Sequence, residues 1–141
     1  MIILADHWTR SIFYPDSPDA HRVIDCLVQL QRQAGGNALI GRELWHLMTD
    51  AGFTDVTVSP RQVYADQSRP DSIEGVKQIF IAMVDGVRKE AISRGLVDKE
   101  TWDKGIRDLY RTTEQGGTFC YTFFKAVGYR EREKNHISCR L

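Results

Sequence analysis

Met1-Ile2-Ile3-Leu4 is a continuous apolar run, the pattern of a short strand buried on both faces of a parallel sheet. The aromatic segment that follows, residues 7–14, shows no period and is expected to be irregular. Ser17-Pro18-Asp19 opens a helix: the Ser hydroxyl can accept from free backbone N–H groups, and Pro18 stands where a missing N–H costs nothing. Val23, Ile24, Leu27, Leu30 and Ala34 then keep helical spacing up to Gly35-Gly36. A second stripe, Ile40, Leu44, Leu47, Met48 and Ala51, predicts a shorter helix that Gly52 ends in a left-handed conformation, with Phe53 closing over the last turn.

Alternation of Val56 and Val58 with Asp55 and Thr57 predicts a strand over 55–59, which Pro60 ends or places at a bulge or edge, followed by an extended connector over 61–69. Asp71 with Glu74 three residues on is a capping-box signature, and Ile73, Val76, Phe80, Met83, Val84, Val87 and Ala91 carry the longest helical period, up to Gly95. Asp98 is expected to cap a further helix with Trp102, Ile106, Leu109 and Tyr110 on one face and Gly105 weakening it, so that the two form a hairpin-like pair. Thr118 to Val127 is β-branched and aromatic, a strand with Phe119, Tyr121 and Phe123 on one face and Cys120, Thr122 and Phe124 on the other. Residues 129–141 are charged and without period, and are expected to be a polar, frayed tail.

The order strand, helix, helix, strand, helical pair, strand predicts one α/β unit of about three strands. Two would be parallel, joined by a right-handed crossover, and the last would return antiparallel between or beside them. The unit spans residues 1–128, with 72–114 as a helical insertion.

With 141 residues, 42% of them hydrophobic, the chain suits a single core. Its 19 basic and 19 acidic residues give a formal net charge of +0 and no global field to draw in nucleic acid or an anionic membrane, so neither is expected as a partner. Cys26, Cys120 and Cys139 are odd in number and in no C-x-x-C spacing, against a disulfide framework and against a zinc site; a reducing cytoplasm is the expected compartment. Met1 to Ala5 is too short for a signal peptide core or a membrane span. His21 with Asp25 and His46 with Asp50 have metal-capable spacing but lack converging ligands, and are expected to be helix-surface pairs. No Ser-His-Asp order, paired-carboxylate motif or H-E-x-x-H occurs, which excludes the hydrolase and metalloenzyme readings that rest on them.

Several soft motifs come in a consistent order: Ala5-Asp6-His7-Trp8-Thr9 after the first strand, Gly41-Arg42 before a helix ending Ala51-Gly52-Phe53, Gly95-Leu96-Val97 before the Trp102 helix, and Gly116-Gly117-Thr118-Phe119 opening the last strand. Taken together over residues 1 to about 130, the chain resembles the C-terminal portion of a class I, Rossmann-like S-adenosylmethionine-dependent methyltransferase acting on small molecules. Where the family usually has an acidic residue, His7 stands. The resemblance implies a partial Rossmann-like fold and a fifth strand, helix, sixth strand and inserted antiparallel seventh strand. It also implies S-adenosylmethionine as methyl donor and a small-molecule methyl acceptor.

The donor-binding elements of such a family, a glycine-rich strand-to-helix turn and an acidic residue ending the second strand, have no counterpart here. Gly35-Gly36 with Gly41 follows a helix and lacks the Gly-x-Gly turn. The chain is therefore expected to be the acceptor side of a methyltransferase, as a truncated product or split subunit, and not to bind the donor alone. Alternatives are a non-enzymatic interaction module pairing through its first strand, as a homodimer or with a missing N-terminal half, and an unrelated small ligand-binding domain.

His7 and Trp8 fall at the strand edge where open α/β sheets bind ligands. They are candidates to line an acceptor pocket, with His7 placed to polarise a group or accept a proton; the alternative is a Trp packed under the insertion and a solvated His. Tyr14 and Arg42 are further substrate-binding candidates, with Tyr64 and Tyr110 behind them, against surface packing for the tyrosines and helix-end pairing for Arg42. Phe80, Met83 and Trp102 form either an apolar lid or core.

Overall fold

The computed structural model describes the backbone of residues 2–130 and the side chains of residues 12–130. Three strands, β1 (Ile2–Tyr14), β2 (Thr54–Ala65) and β3 (Thr118–Tyr129), form one sheet in the order β1-β3-β2. The last strand lies in the middle. It pairs antiparallel with both neighbours, so β1 and β2 run in the same direction on either side of it. The expected parallel pair is thus never hydrogen-bonded as a pair: both ladders among the described residues are antiparallel.

Both outer strands are longer than their apolar runs. β1 does not stop at Leu4, because Ile12, Phe13 and Tyr14 pair with Cys120, Phe119 and Thr118 beyond a register shift after His7. The supposedly irregular aromatic segment is therefore strand, held by a partner that periodicity within the segment could not reveal. β2 likewise runs through Pro60 to Ala65, where a connector was expected. An edge strand tolerates proline because one of its backbone edges has no ladder to supply. β3 extends two residues past Val127, and Tyr129 pairs with Thr54. The rest of the expected polar tail, residues 131–141, lies outside the described residues.

The helices are α1 (Pro18–Gln33), α2 (Leu44–Asp50), α3 (Pro70–Gly75), α4 (Ala82–Asp85), α5 (Arg88–Ser93) and α6 (Lys99–Arg111). Ser17 caps α1, its hydroxyl accepting from the Ala20 N–H at 3.2 Å, and Asp98 caps α6 through the Thr101 N–H at 2.8 Å. Gly52 ends α2 at φ 81°, with the Phe53 N–H returning to Met48 O at 3.0 Å. Asp71 does not cap α3. Pro70 occupies the first turn and shifts the start to Arg69, leaving Asp71 inside it.

The expected long helix over 73–95 is interrupted. A wider π-type turn, Val76–Ile81, links α3 to α4, and the rod breaks at Gly86-Val87 before α5. Nor is α6 simply the second arm of a hairpin: it lies along α1, and a Cβ on Gly105 would stand 2.5 Å from Asp19 O and 2.7 Å from Val23 Cγ1. Two side-chain links then tie α6 back to the rod, Trp102 Nε1 donating to Asp85 Oδ1 at 3.0 Å and Arg88 to Asp103 at 2.5 Å.

The sheet is covered unevenly. At the start of β3, Phe119 and its strand partner Phe13 pack with α1, α6 and the α3–α4 rod in a large core containing Val23, Phe80, Trp102 and Leu109. Phe80, Met83 and Trp102 are accordingly core or its margin: Phe80 is 1% and Trp102 0% exposed. On the opposite face and towards the other end of β3, Ala126 and Phe124 meet Leu44, Met48 and Ile40 in a smaller core. The alternation of β3 predicted this division of Phe119 and Tyr121 from Phe124.

Candidate functional site

The first candidate positions fall at different heights of the sheet. The His7 backbone pairs with Thr122, and Trp8 lies in the interval where the β1 register shifts; their side chains lie outside those described. Tyr14, opposite Thr118, is four residues further along β3, roughly 13 Å away. Its side chain is exposed, as is Arg42, which sits on the 3₁₀ turn Ile40–Arg42 packed against β1 and β3. The cavity that Tyr14 lines does not include Arg42. Tyr64 carries the Arg69 guanidinium over its ring at 5.5 Å, and Tyr110 is exposed on α6. His21 pairs with Asp16 at 2.8 Å rather than with Asp25, because the Asp16 carboxylate lies just before the α1 cap.

Tyr14 does line a cavity, of about 350 Å³, where the end of β1 meets the turn from α6 into β3. Its other walls are Pro15, Arg111, Glu114, Gln115 and the Gly116-Gly117 backbone. Several local contacts fix this wall. α6 ends with Thr112 and Thr113 folding their hydroxyls back onto Leu109 O and Tyr110 O, at 2.7 and 2.6 Å. Gly117 donates to Glu114 O at 2.9 Å, while Gln67 Nε2 reaches across from the β2 side to Glu114 O at 2.9 Å. Both glycines are required. Gly116 has φ 82°, and a Cβ on Gly117 would stand 2.6 Å from Arg111 O.

The charges of this cavity are arranged unequally. Arg111 is held by Asp108 at 3.5 Å, and Asp108, itself well shielded, also accepts the Ser17 hydroxyl at 2.6 Å. Glu114 has no ion-pair partner among the described residues, although Arg111 lines the same cavity. Sequence reasoning singled out Tyr14 and the two glycines and missed Arg111, Glu114 and Gln115. The available signal was a cation and an anion placed immediately before a Gly-Gly turn.

The glycines nearest to a donor-binding pattern do other work. Gly35 (φ 83°) ends α1, with Gly36 N–H returning to Gln31 O at 2.8 Å. Gly41 is buried against the Phe124 ring, so its missing side chain makes room for packing rather than for a ligand. These residues do not fit S-adenosylmethionine. Among the described residues, no helix is long and apolar enough to cross a membrane. The chain matches no family model and no curated protein.

Proposed function

We propose that the chain is the acceptor-side, C-terminal portion of a Rossmann-like S-adenosylmethionine-dependent small-molecule methyltransferase, without donor binding of its own. The observation that supports this reading is the sheet order: two strands running in one direction with the last strand inserted antiparallel between them. That is the ending which the resemblance implies, and the ordered motifs fall on it, Ala51-Gly52-Phe53 leading into β2 and Gly116-Gly117 into β3. Such a portion would contribute by holding the acceptor in position, the step in which binding energy offsets the entropy of bringing two reactants together. The cavity beside Tyr14, about 350 Å³, is of a size to hold a small molecule. Calorimetric titration with S-adenosylmethionine, set against free methionine, tests the reading: no binding beyond that of methionine is expected, and a saturable 1:1 isotherm much tighter than that of methionine overturns it.

A second reading, an interaction module, draws on the two sheet edges. The β2 edge is blunted by Pro60, by exposed Arg61 and Gln62, and by a register shift where Asp55 takes φ 51°. β1 also forms an edge, and it opens with Ile2-Ile3-Leu4-Ala5, without proline or charge. An undefended edge of this kind is suited to pairing with another strand. On this reading the chain associates in light scattering and Ile3→Lys abolishes the association; a monodisperse wild-type monomer excludes it.

A further inference from the structure

We propose that the cavity between Tyr14 and the α6–β3 turn takes a small zwitterion bearing both a carboxylate and an ammonium group, as a free amino acid does. The inference rests on reading this cavity as a small-molecule site, and is independent of methyl transfer.

Two opposite charges line the cavity, Arg111 and Glu114, and they are not paired with each other. Three residues apart on a tight turn, where the Glu114 N–H donates to Arg111 O at 3.2 Å, they are fixed relative to one another by backbone rather than by mutual attraction. A ligand carrying one charge satisfies only one of them. A zwitterion satisfies both.

The carboxylate side has more than Arg111. The successive N–H groups of Gln115 and Gly116 donate to no backbone carbonyl among the described residues. With Gly116 in the left-handed region at φ 82°, consecutive N–H groups can converge on an anion, as in the backbone nests that capture carboxylates. The guanidinium has only a long contact to Asp108 at 3.5 Å and can donate to the same group. The ammonium side combines the Glu114 carboxylate with the exposed ring of Tyr14, whose π face attracts cations. The volume, about 350 Å³, is at the small end for ligand sites and suits a molecule of amino-acid size.

The test is titration of the full chain, followed by NMR, with free amino acids of small, aromatic and charged side chains. The best binder is then compared with its methyl ester, which lacks the carboxylate, and its N-acetyl form, which lacks the ammonium. Each blocked form is expected to bind about tenfold more weakly than the free amino acid, the loss of one charge-assisted contact. Arg111→Gln should weaken the free amino acid by a similar factor while leaving the ester unchanged, and Glu114→Gln should do the same relative to the N-acetyl form. Both side chains are exposed, so the variants keep the fold. Equal affinity of free and blocked forms overturns the proposal, as does the absence of saturable binding by every amino acid up to about 10 mM. S-adenosylmethionine itself ends in a methionine zwitterion and is expected to bind no more tightly than free methionine; much tighter binding, unchanged by Arg111→Gln, would overturn the methyltransferase reading and leave this result unaffected.

Discussion

Gly41 lies flat against the ring of Phe124: a Cβ at that position would meet ring Cγ at 3.1 Å and Cε2 at 3.2 Å, with Cδ2 closer still. The 3₁₀ turn can therefore approach β3 only through a residue without a side chain. Gly41→Ala is expected to destabilise the fold by about 1–3 kcal/mol through overpacking, since the half-buried ring packs against the smaller core. Urea denaturation measures it. A variant as stable as wild type would mean that the ring has somewhere to go.

At the crossing of α1 and α6, Gly105→Ala sets two effects against each other. Alanine favours the helix by about 1 kcal/mol over glycine. The added methyl, however, would stand 2.5 Å from Asp19 O, a backbone atom that moves only with the whole of α1. Overpacking of about 1–3 kcal/mol should prevail and lower the melting temperature. A rise in melting temperature would show the helices sliding apart at little cost.

How far the fold was legible follows from such positions. Glycine within the α6 pattern is a local weakness when read by propensity, and its use becomes visible only when another helix crosses it. The caps at Ser17 and Asp98, the stop at Gly52 and the two faces of β3 were legible because their causes lie within a few residues. The length of β1 was not, because Ile12 to Tyr14 become strand through pairing with residues more than a hundred positions away. The same limit applied to the site: Tyr14 could be suspected alone, but Arg111 and Glu114 join it only once β1 and β3 are paired.

Asp98 carries a pH dependence. Its carboxyl is held below the ordinary carboxylate range, chiefly by the Thr101 N–H and then by the Thr101 hydroxyl. Because the folded value is the depressed one, the cap contributes fully above the unfolded carboxylate range near pH 4 and is lost as pH falls through the folded value. Asp98→Ala should therefore lower the urea midpoint at pH 7, and the difference from wild type should shrink as the pH falls below the ordinary carboxylate range. A difference that persists undiminished in acid would assign the effect to something other than the ionised cap.

The two described cysteines should react unequally. Cys26 is 2% exposed and burial pushes its thiol up, whereas Cys120 is half-buried on β3. Since the thiolate is the reacting form, iodoacetamide should label Cys120 well before Cys26, which is expected to wait for unfolding of α1. Peptide mass mapping over time distinguishes them, and equal labelling would show α1 opening on the timescale of alkylation.

Phe119 belongs to the larger core and Ala126 to the smaller, on opposite faces of one strand. Seven residues of extended chain separate them, roughly 24 Å. Cooperativity between the two clusters thus passes largely along the hydrogen-bonded middle of β3, rather than through side-chain contact. The 3₁₀ turn and α2 can open while Trp102 and its neighbours stay sealed, so amide exchange should resolve two protection levels, and the β3 amides should be the last to yield.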